Sequence, residues 1–441
     1  MTASTDYDAI VVGAGAGGLF TAARLTKLGY RTLVVERLDK VGGRASTTDV
    51  DGFKVNDGAI VIEVGTHTQR TFEELGLEWR IRETDPPILY RIKGKDVDVT
   101  GGGWGFMLSK LTRQGAKIVS GLGAARNDSG LPEDEISTDE WVRKFTKNEG
   151  VRGIFRNMCA SIFAVSSAEL PARVFLTYFT RKSAFKRFGF HPEGTIGVWR
   201  QLADYVTSNG GEVWLSTPVT AITTSDGAVT GIRLERDGRE LELRAPVVVS
   251  NVGPAGTVRL VGEENLPEDY TQMVKQKDRP CSMVAINFAS REELVAAPGM
   301  LGFATTRRMA YVANFTRSCP EMAPEGWNLY VATSVPEPAI GDFDEAAEIE
   351  LLREDLRDAF PGYDDKAREV SINITRDDWP PQRAVAGFDA PHDTPLGGLW
   401  NVGDGVKEYA NGGTTACAET AEIIVGKIAA AHPVQPAQPV H

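Results

Sequence analysis

The stretch Tyr7 to Arg44, YDAIVVGAGAGGLFTAARLTKLGYRTLVVERLDKVGGR, constrains this chain more than any other. Ile10, Val11 and Val12 form an apolar run suited to a strand buried on both faces, and Gly13, Gly15 and Gly18 follow it as GxGxxG. Leu19, Ala22 and Ala23 then recur at helical spacing, Gly29 is placed to end that helix, and Thr32 to Val35 read as a second buried strand. The unit is βαβ. Within it Gly13 permits the turn, Gly15 lets the backbone approach a pyrophosphate, and Gly18 lets helix and strand pack closely. Ala16 and Gly17 present N–H groups at the positive end of the helix dipole. Glu36 ends the second strand near the roughly 20-residue distance expected of a carboxylate that accepts hydrogen bonds from ribose hydroxyls, and Arg37 stands beside it. Strand, turn, helix, strand and acid in register indicate an adenine dinucleotide.

Val41-Gly42-Gly43-Arg44 narrows the cofactor, because two glycines and an arginine just past Glu36 can bring backbone and guanidinium to a second part of a long anionic ligand. These residues resemble the FAD-binding signature of the amine oxidase and phytoene desaturase superfamily, the phytoene desaturase-like branch above all. Asp51-Gly52-Phe53 through Asp57-Gly58-Ala59-Ile60 looks like that family's next flavin-proximal turn, and Phe190-His191-Pro192-Glu193-Gly194-Thr195 like its turn before a helix. The resemblance implies a return to the FAD domain near Asn251-Val252-Gly253-Pro254, with the backbone at Val219 against adenine. It is completed by Leu399-Trp400-Asn401-Val402-Gly403-Asp404-Gly405, where Asp404 faces the ribityl or phosphate region. Asn411-Gly412-Gly413-Thr414 follows, where the N–H groups of a helix face the flavin pyrimidine. A positive helix end at that position favours the anionic reduced flavin. The fold so implied is α/β: a doubly wound Rossmann-type FAD-binding domain with an interleaved α+β substrate domain. By position the first takes residues 1–80, 190–260 and 390–431 and the second 81–189 and 261–389, with 432–441 as a disordered tail. The cofactor is expected to be non-covalent, since no cysteine precedes Gly412 in its turn.

Composition bounds the rest. A chain of 441 residues, 42% hydrophobic and 24% charged, is long enough for two domains. It has no run near the roughly 18 apolar residues of a spanning helix, and the N-terminus MTASTDYD lacks a basic region and an apolar signal core, which reads as cytoplasmic. A net charge of −12 speaks against general nucleic-acid binding. Four cysteines without CxxC spacing and five scattered histidines predict neither a disulfide framework nor a metal site.

Between the FAD segments, Thr71 to Leu75 predicts a short helix, Gly101 to Gly103 and residues 121–135 read as loops, and Ser137 to Glu140 fits a capping box. Val151, Ile154, Phe155 and Met158 carry a helical pattern into a segment where Phe175, Tyr178, Phe179, Phe185 and Phe188 alternate with Arg173, Arg181, Lys182, Lys186 and Arg187. Three readings stand open for it: an apolar tunnel, contact with an anionic membrane surface, or an ordinary helical subdomain with a solvated basic face. Residues Glu212 to Leu215, Val219 to Thr224, Val229 to Glu235 and Leu241 to Ala245 predict a β meander, Val284 to Phe288 and Leu329 to Ala332 strands, and Asp342 to Phe360 a helix.

One departure from the family bears on substrate. Phytoene desaturases usually carry a glycine- and proline-rich stretch after the Gly-Asp turn, whereas here it is Val406-Lys407-Glu408-Tyr409-Ala410. Lys407 and Tyr409 are therefore expected to form a polar edge that holds an anionic or otherwise polar group of a mainly apolar substrate. His191 and Tyr311 complete the candidates for catalytic contact. The expected activity is hydride movement between a substrate carbon and flavin N5, as desaturation or saturation of a C–C bond. C–N oxidation by an amine oxidase is the alternative, and a non-catalytic prenyl carrier like the GDP-dissociation inhibitors is a third class. The electron acceptor, oxygen or a quinone among the choices, is left open.

Overall fold

The computed structural model describes residues 6–92, 94–98, 136–180 and 187–434. The loops expected at Gly101 to Gly103 and at 121–135, the bases and aromatics from Arg181 to Lys186, the side chain of Phe179 and the tail from residue 435 lie outside the described residues.

The run Ala9–Val12 forms β1, the helix Ala16–Lys27 is α1, and Thr32–Val35 is β2. β1 sits at the centre of a five-stranded parallel sheet ordered Glu212–Trp214, β2, β1, Val248–Ser250, Leu399–Asn401, with Val11 level with Val34 and Val249. Side chains alternate across it. Ala9 and Val11 pack with α1 and with the helices Ile196–Ser208 and Gly413–Ala431, whereas Ile10 and Val12 meet Ile222, Ile232 and Leu234 on the opposite face. A sheet covered on both faces needs strands that are apolar nearly throughout: β1 is so at every position, and β2 at all but Thr32, whose hydroxyl donates to the Tyr30 carbonyl. Each buried Val or Ile contributes roughly 1.5–3 kcal/mol.

The three residues on that second face belong to a β meander, Val219–Ser225, Ala228–Arg236 and Arg239–Arg244. Glu212–Trp214 is not part of it, contrary to the pattern. Instead it pairs in parallel with Leu33 to Val35, because the helix ahead of it returns the chain to the start of the sheet and not to the meander.

Since all five central strands run the same way, their carboxyl ends share one edge. The turn after β1, Glu36 after β2, Asn251 after Val248–Ser250 and Val402 to Asp404 after Leu399–Asn401 all gather there, the crevice where open α/β sheets bind ligands.

A second sheet has seven strands, ordered Ala367–Thr375, Met283–Ser290, Asn328–Ser334, Met309–Asn314, Met300–Phe303, Ile88–Ile92, Lys95–Val97. Val284, Ile286 and Phe288 turn one face to Leu352 and Leu356 of the helix Glu345–Ala359, which Asp344 caps through the N–H of Ala347. The other face, through Tyr90, Ala289, Ala313 and Tyr311, packs with the helices Glu149–Phe163 and Ala172–Thr180. The capping box read at Ser137 and Glu140 starts the helix Thr138–Arg143, and the helix read at Thr71 to Leu75 spans His67–Leu75. Among the described residues no helix is long and apolar enough to cross a membrane.

Candidate active site

The first turn of α1 contains no acidic side chain, and its N-cap, Gly15, supplies no side-chain cap. The N–H groups that a helix start leaves without intrahelical partners are thus open to a ligand. Asn251 holds the turn in shape: its Nδ2 donates to the Gly13 carbonyl oxygen at 3.5 Å, and a Cβ added at Gly15 would stand 2.7 Å from that nitrogen. A Cβ at Gly17 would stand 2.8 Å from Asn251 Oδ1 and 2.9 Å from the Cα of Gly403. Crowding therefore comes from within the fold at both positions. Gly18 answers a different need, since its Cβ would fall 2.0 Å from the Gly13 carbonyl oxygen.

This edge opens into a continuous cavity of about 550 Å³, well inside the range of cofactor sites. Gly13, Gly15, Ala16, Gly17, Glu36, Arg37, Gly43, Arg44, Gly58, Ala59, Ile60, Val219, Asn251, Asp404, Gly412, Gly413 and Thr414 all line it. Gly18 and Gly403 do not; each allows close packing behind the wall.

Glu36 is buried, with its carboxylate accepting from Ala14 N at 2.7 Å and Leu38 N at 2.9 Å, so its position at the end of β2 is fixed. Arg44 and Asp404, 360 positions apart in sequence, meet as a bidentate pair, with Nη1 to Oδ2 at 2.9 Å and Nη2 to Oδ1 at 2.5 Å. Burial opposes ionisation of Asp404, but the Arg44 guanidinium outweighs it and holds the carboxyl well below the usual carboxylate range. Arg383 lies nearby. Burial first, and then repulsion from Arg44, push its guanidinium down to about 10, and its Nε has no hydrogen-bond partner among the described residues. A desolvated cation lining the same cavity as open helix N–H groups suits an anion such as a pyrophosphate. Over the Glu36 end lies Trp379, with Arg37 Cζ 5.7 Å from its ring centre.

Past Gly412 and Gly413 the lining changes to Tyr90, Met158, Ile162, Tyr178, Met300 and Tyr311, an apolar chamber between the second sheet and its helices. Burial raises the Tyr311 phenol to about 12, so it is neutral at ordinary pH. Tyr90 donates to Asn157 Oδ1 at 2.8 Å.

The polar edge expected at Lys407 and Tyr409 is not found. Neither residue lines the cavity. The Lys407 side chain is fully enclosed, with Nζ 2.6 Å from Asp389 Oδ1, 2.9 Å from the Ala384 carbonyl and 3.0 Å from the Asp404 carbonyl, so its three N–H bonds tie loops together behind the Gly-Asp turn. Tyr409 offers its ring to Arg173, whose Cζ is 5.5 Å from the ring centre. His191 is also away from the cavity. Its Nδ1 accepts from Glu193 N at 3.1 Å, and burial lowers the ring to about 4, which keeps it neutral. Of the four candidates only Tyr311 reaches the chamber.

Glu63, Trp379, Arg383 and the chamber residues Tyr90, Met158, Ile162 and Met300 are not among the candidates read from the sequence. Glu63 carried a signal, an acid within the apolar run Val61 to Val64. Tyr178 lies in the aromatic segment for which a tunnel is one reading; Tyr90, Met158, Ile162 and Met300 carry no local signal as site residues, because packing of distant segments brings them together.

Comparison with known proteins agrees with this geometry. The family model described as flavin containing amine oxidoreductase matches residues 16–412. A neurosporene-forming phytoene desaturase of Rhodobacter capsulatus is 28% identical over 62% of this chain and 55% of its own length. The crystal structure of an oxidoreductase from Methanosarcina mazei superposes with a TM-score of 0.81 at 27% identity, covering 95% of this chain and 99% of that one. A putrescine oxidase solved with putrescine bound has a TM-score of 0.68 at 17% identity, over 96% and 99% of the two chains, and shares the fold. The chain belongs to the flavin-containing amine oxidoreductase family and is an FAD-dependent oxidoreductase.

Proposed function

We propose that this enzyme moves a hydride between a substrate C–H and the flavin, and that its substrate is apolar, with desaturation or saturation of a C–C bond as the reaction. The carrying observation is the chamber past Gly412: Tyr, Met, Ile and Phe side chains dominate its walls, with Ser161 among them, and the cations among the described residues that line the cavity are Arg37, Arg44, Arg259 and Arg383, with no lysine or histidine. A ligand carboxylate buried there would lack a counter-charge, a loss of several kcal/mol. The anionic group expected from Lys407 is accordingly withdrawn.

In this reading Glu36 and Arg37 take the adenosine ribose, the α1 start with Arg383 takes the pyrophosphate, and Arg44 with Asp404 stands alongside the ribityl chain. An elongated dinucleotide so placed leaves its ring system toward Gly58 to Val61 and Gly412 to Thr414, at the mouth of the chamber. When bound, FAD supplies the hydride chemistry. The chain's own part is to hold the substrate carbon in place and to exclude water, through Met158, Met300 and the neutral Tyr90 and Tyr311. Attachment stays non-covalent: Cys417 lines the cavity, yet burial pushes its thiol up to about 12, far from a nucleophilic thiolate.

The test is anaerobic mixing of holoenzyme with a panel of unsaturated hydrocarbons, unsaturated acids and amines, following bleaching of the flavin's visible band. Bleaching by neutral apolar substrates supports the reading; bleaching by amines alone replaces it with C–N oxidation. Met158→Trp, which fills the chamber, is expected to retain FAD and slow reduction by an active substrate at least about tenfold, an effect of about 1.4 kcal/mol on the barrier. Unaltered reduction by that variant would show that substrate does not enter between the helices and the second sheet.

A further inference from the structure

The helix Gly413–Ala431 has nineteen residues, no acidic side chain in its first turn and no side-chain cap at Gly412. Such an end carries about half a positive charge. A carboxylate from elsewhere meets it: Glu63 of the strand Ile62–Val64, 351 positions away, accepts a 2.6 Å hydrogen bond from Thr414 Oγ1. Gly413 has φ +73°, and a Cβ there would fall 1.8 Å from Glu63 Oε1, so this glycine is required both by its backbone and by the acid. Glu63 is 8% exposed, lines the cavity, and has no Arg, Lys or His partner within ion-pair distance among the described residues. Its neighbours Ile62 and Val64 are buried in the core, so nothing in the strand's packing calls for an acid at this position.

We propose that Glu63 is a tuning residue: its charge cancels and outweighs the positive helix end, so that the flavin of this enzyme is held at low potential and its anionic reduced form is disfavoured. The inference rests on the reading above that the flavin ring lies by Gly412 to Thr414. A full negative charge against about half a positive one leaves the local field negative, the reverse of what the bare helix would supply. Negative charge near the pyrimidine end opposes the charge that reduction puts on that ring, and equally the charge that addition of sulfite puts there.

The experiment uses purified holoenzyme, parent and Glu63→Gln, with FAD content, midpoint potential and sulfite affinity as readouts. The parent is expected to bind sulfite weakly. The isosteric amide is expected to keep FAD, to bind sulfite at least tenfold more tightly, and to shift the potential upward by about 30 mV per tenfold change in the reduced-to-oxidised ratio. Tight sulfite binding by the parent overturns the proposal without any variant, as does a variant that keeps FAD with parental potential and sulfite affinity. If parental FAD is instead unaffected in spectrum, potential and retention by both Glu63→Gln and Gly413→Ala, the flavin is not at this helix, and the placement of the ring is what fails.

Discussion

Gly15→Val is expected to yield a folded, colourless protein that does not take up FAD. The new Cβ would stand 2.7 Å from Asn251 Nδ2, and two further methyl groups would project into a cavity that Gly13, Gly15, Ala16 and Gly17 line from the same turn. The Asn251 amide is the far end of a side chain and can turn aside only by giving up its hydrogen bond to the Gly13 carbonyl, which holds the turn in shape. Affinity should fall at least about a hundredfold, near 3 kcal/mol. Flavin absorbance after gel filtration, compared with far-UV circular dichroism for folding, checks it. A yellow variant with parental affinity would show that the turn is structural and that the dinucleotide phosphates lie elsewhere. Glu36 is the milder perturbation of the same end, since its removal costs hydrogen bonds without closing space.

Asp404→Asn is expected to cost about 3 kcal/mol of stability at neutral pH, measured by urea unfolding of the apoprotein. Arg44 would lose its bidentate partner, and Arg383, already desolvated, would lose the nearest compensating charge. Breaking one side of such a buried pair is costlier than the pair's own net worth, because the remaining cation is stranded. The pH dependence has a definite sign. Asp404's carboxyl is depressed in the folded state, so its contribution is fully present above the unfolded value near 4 and declines as pH falls below it. The gap between parent and variant should therefore narrow on acidification from about pH 4 downward. An equal gap at pH 7 and pH 3 would mean that Asp404 acts through its shape and not its charge.

The replaced expectation at Lys407 follows from the same network. A lysine three residues past Asp404 of a flavin motif reads naturally as a ligand contact, yet Asp389, the Ala384 carbonyl and the Asp404 carbonyl take all its hydrogen bonds. Burial lifts the Asp389 carboxyl above its ordinary value even with that ammonium at 2.6 Å, which shows how dry the junction is. Nothing in Val406-Lys407-Glu408-Tyr409-Ala410 says which way a side chain points when the partner acid lies 18 positions earlier.

What the amino-acid sequence determined by itself was everything that is local in chain order and periodic in space. Ile10 to Val12 must be a strand buried on both faces, Gly13 to Gly18 must be a tight strand-to-helix turn, and Glu36 must end the next strand, because backbone geometry and side-chain alternation act within a few residues. The cofactor followed from those elements taken together with the resemblance of Val41 to Arg44 and of the Gly403-Asp404 turn. Only the tertiary structure decided the rest: that Glu212–Trp214 joins the parallel sheet, that Arg44 pairs with Asp404, that Glu63 sits on the Gly413 helix, and that Tyr90, Met158 and Tyr311 wall one chamber. Each of those facts joins segments tens to hundreds of positions apart. Their energies come from burial and charge pairing across space, which leave no period or spacing in the sequence to be read.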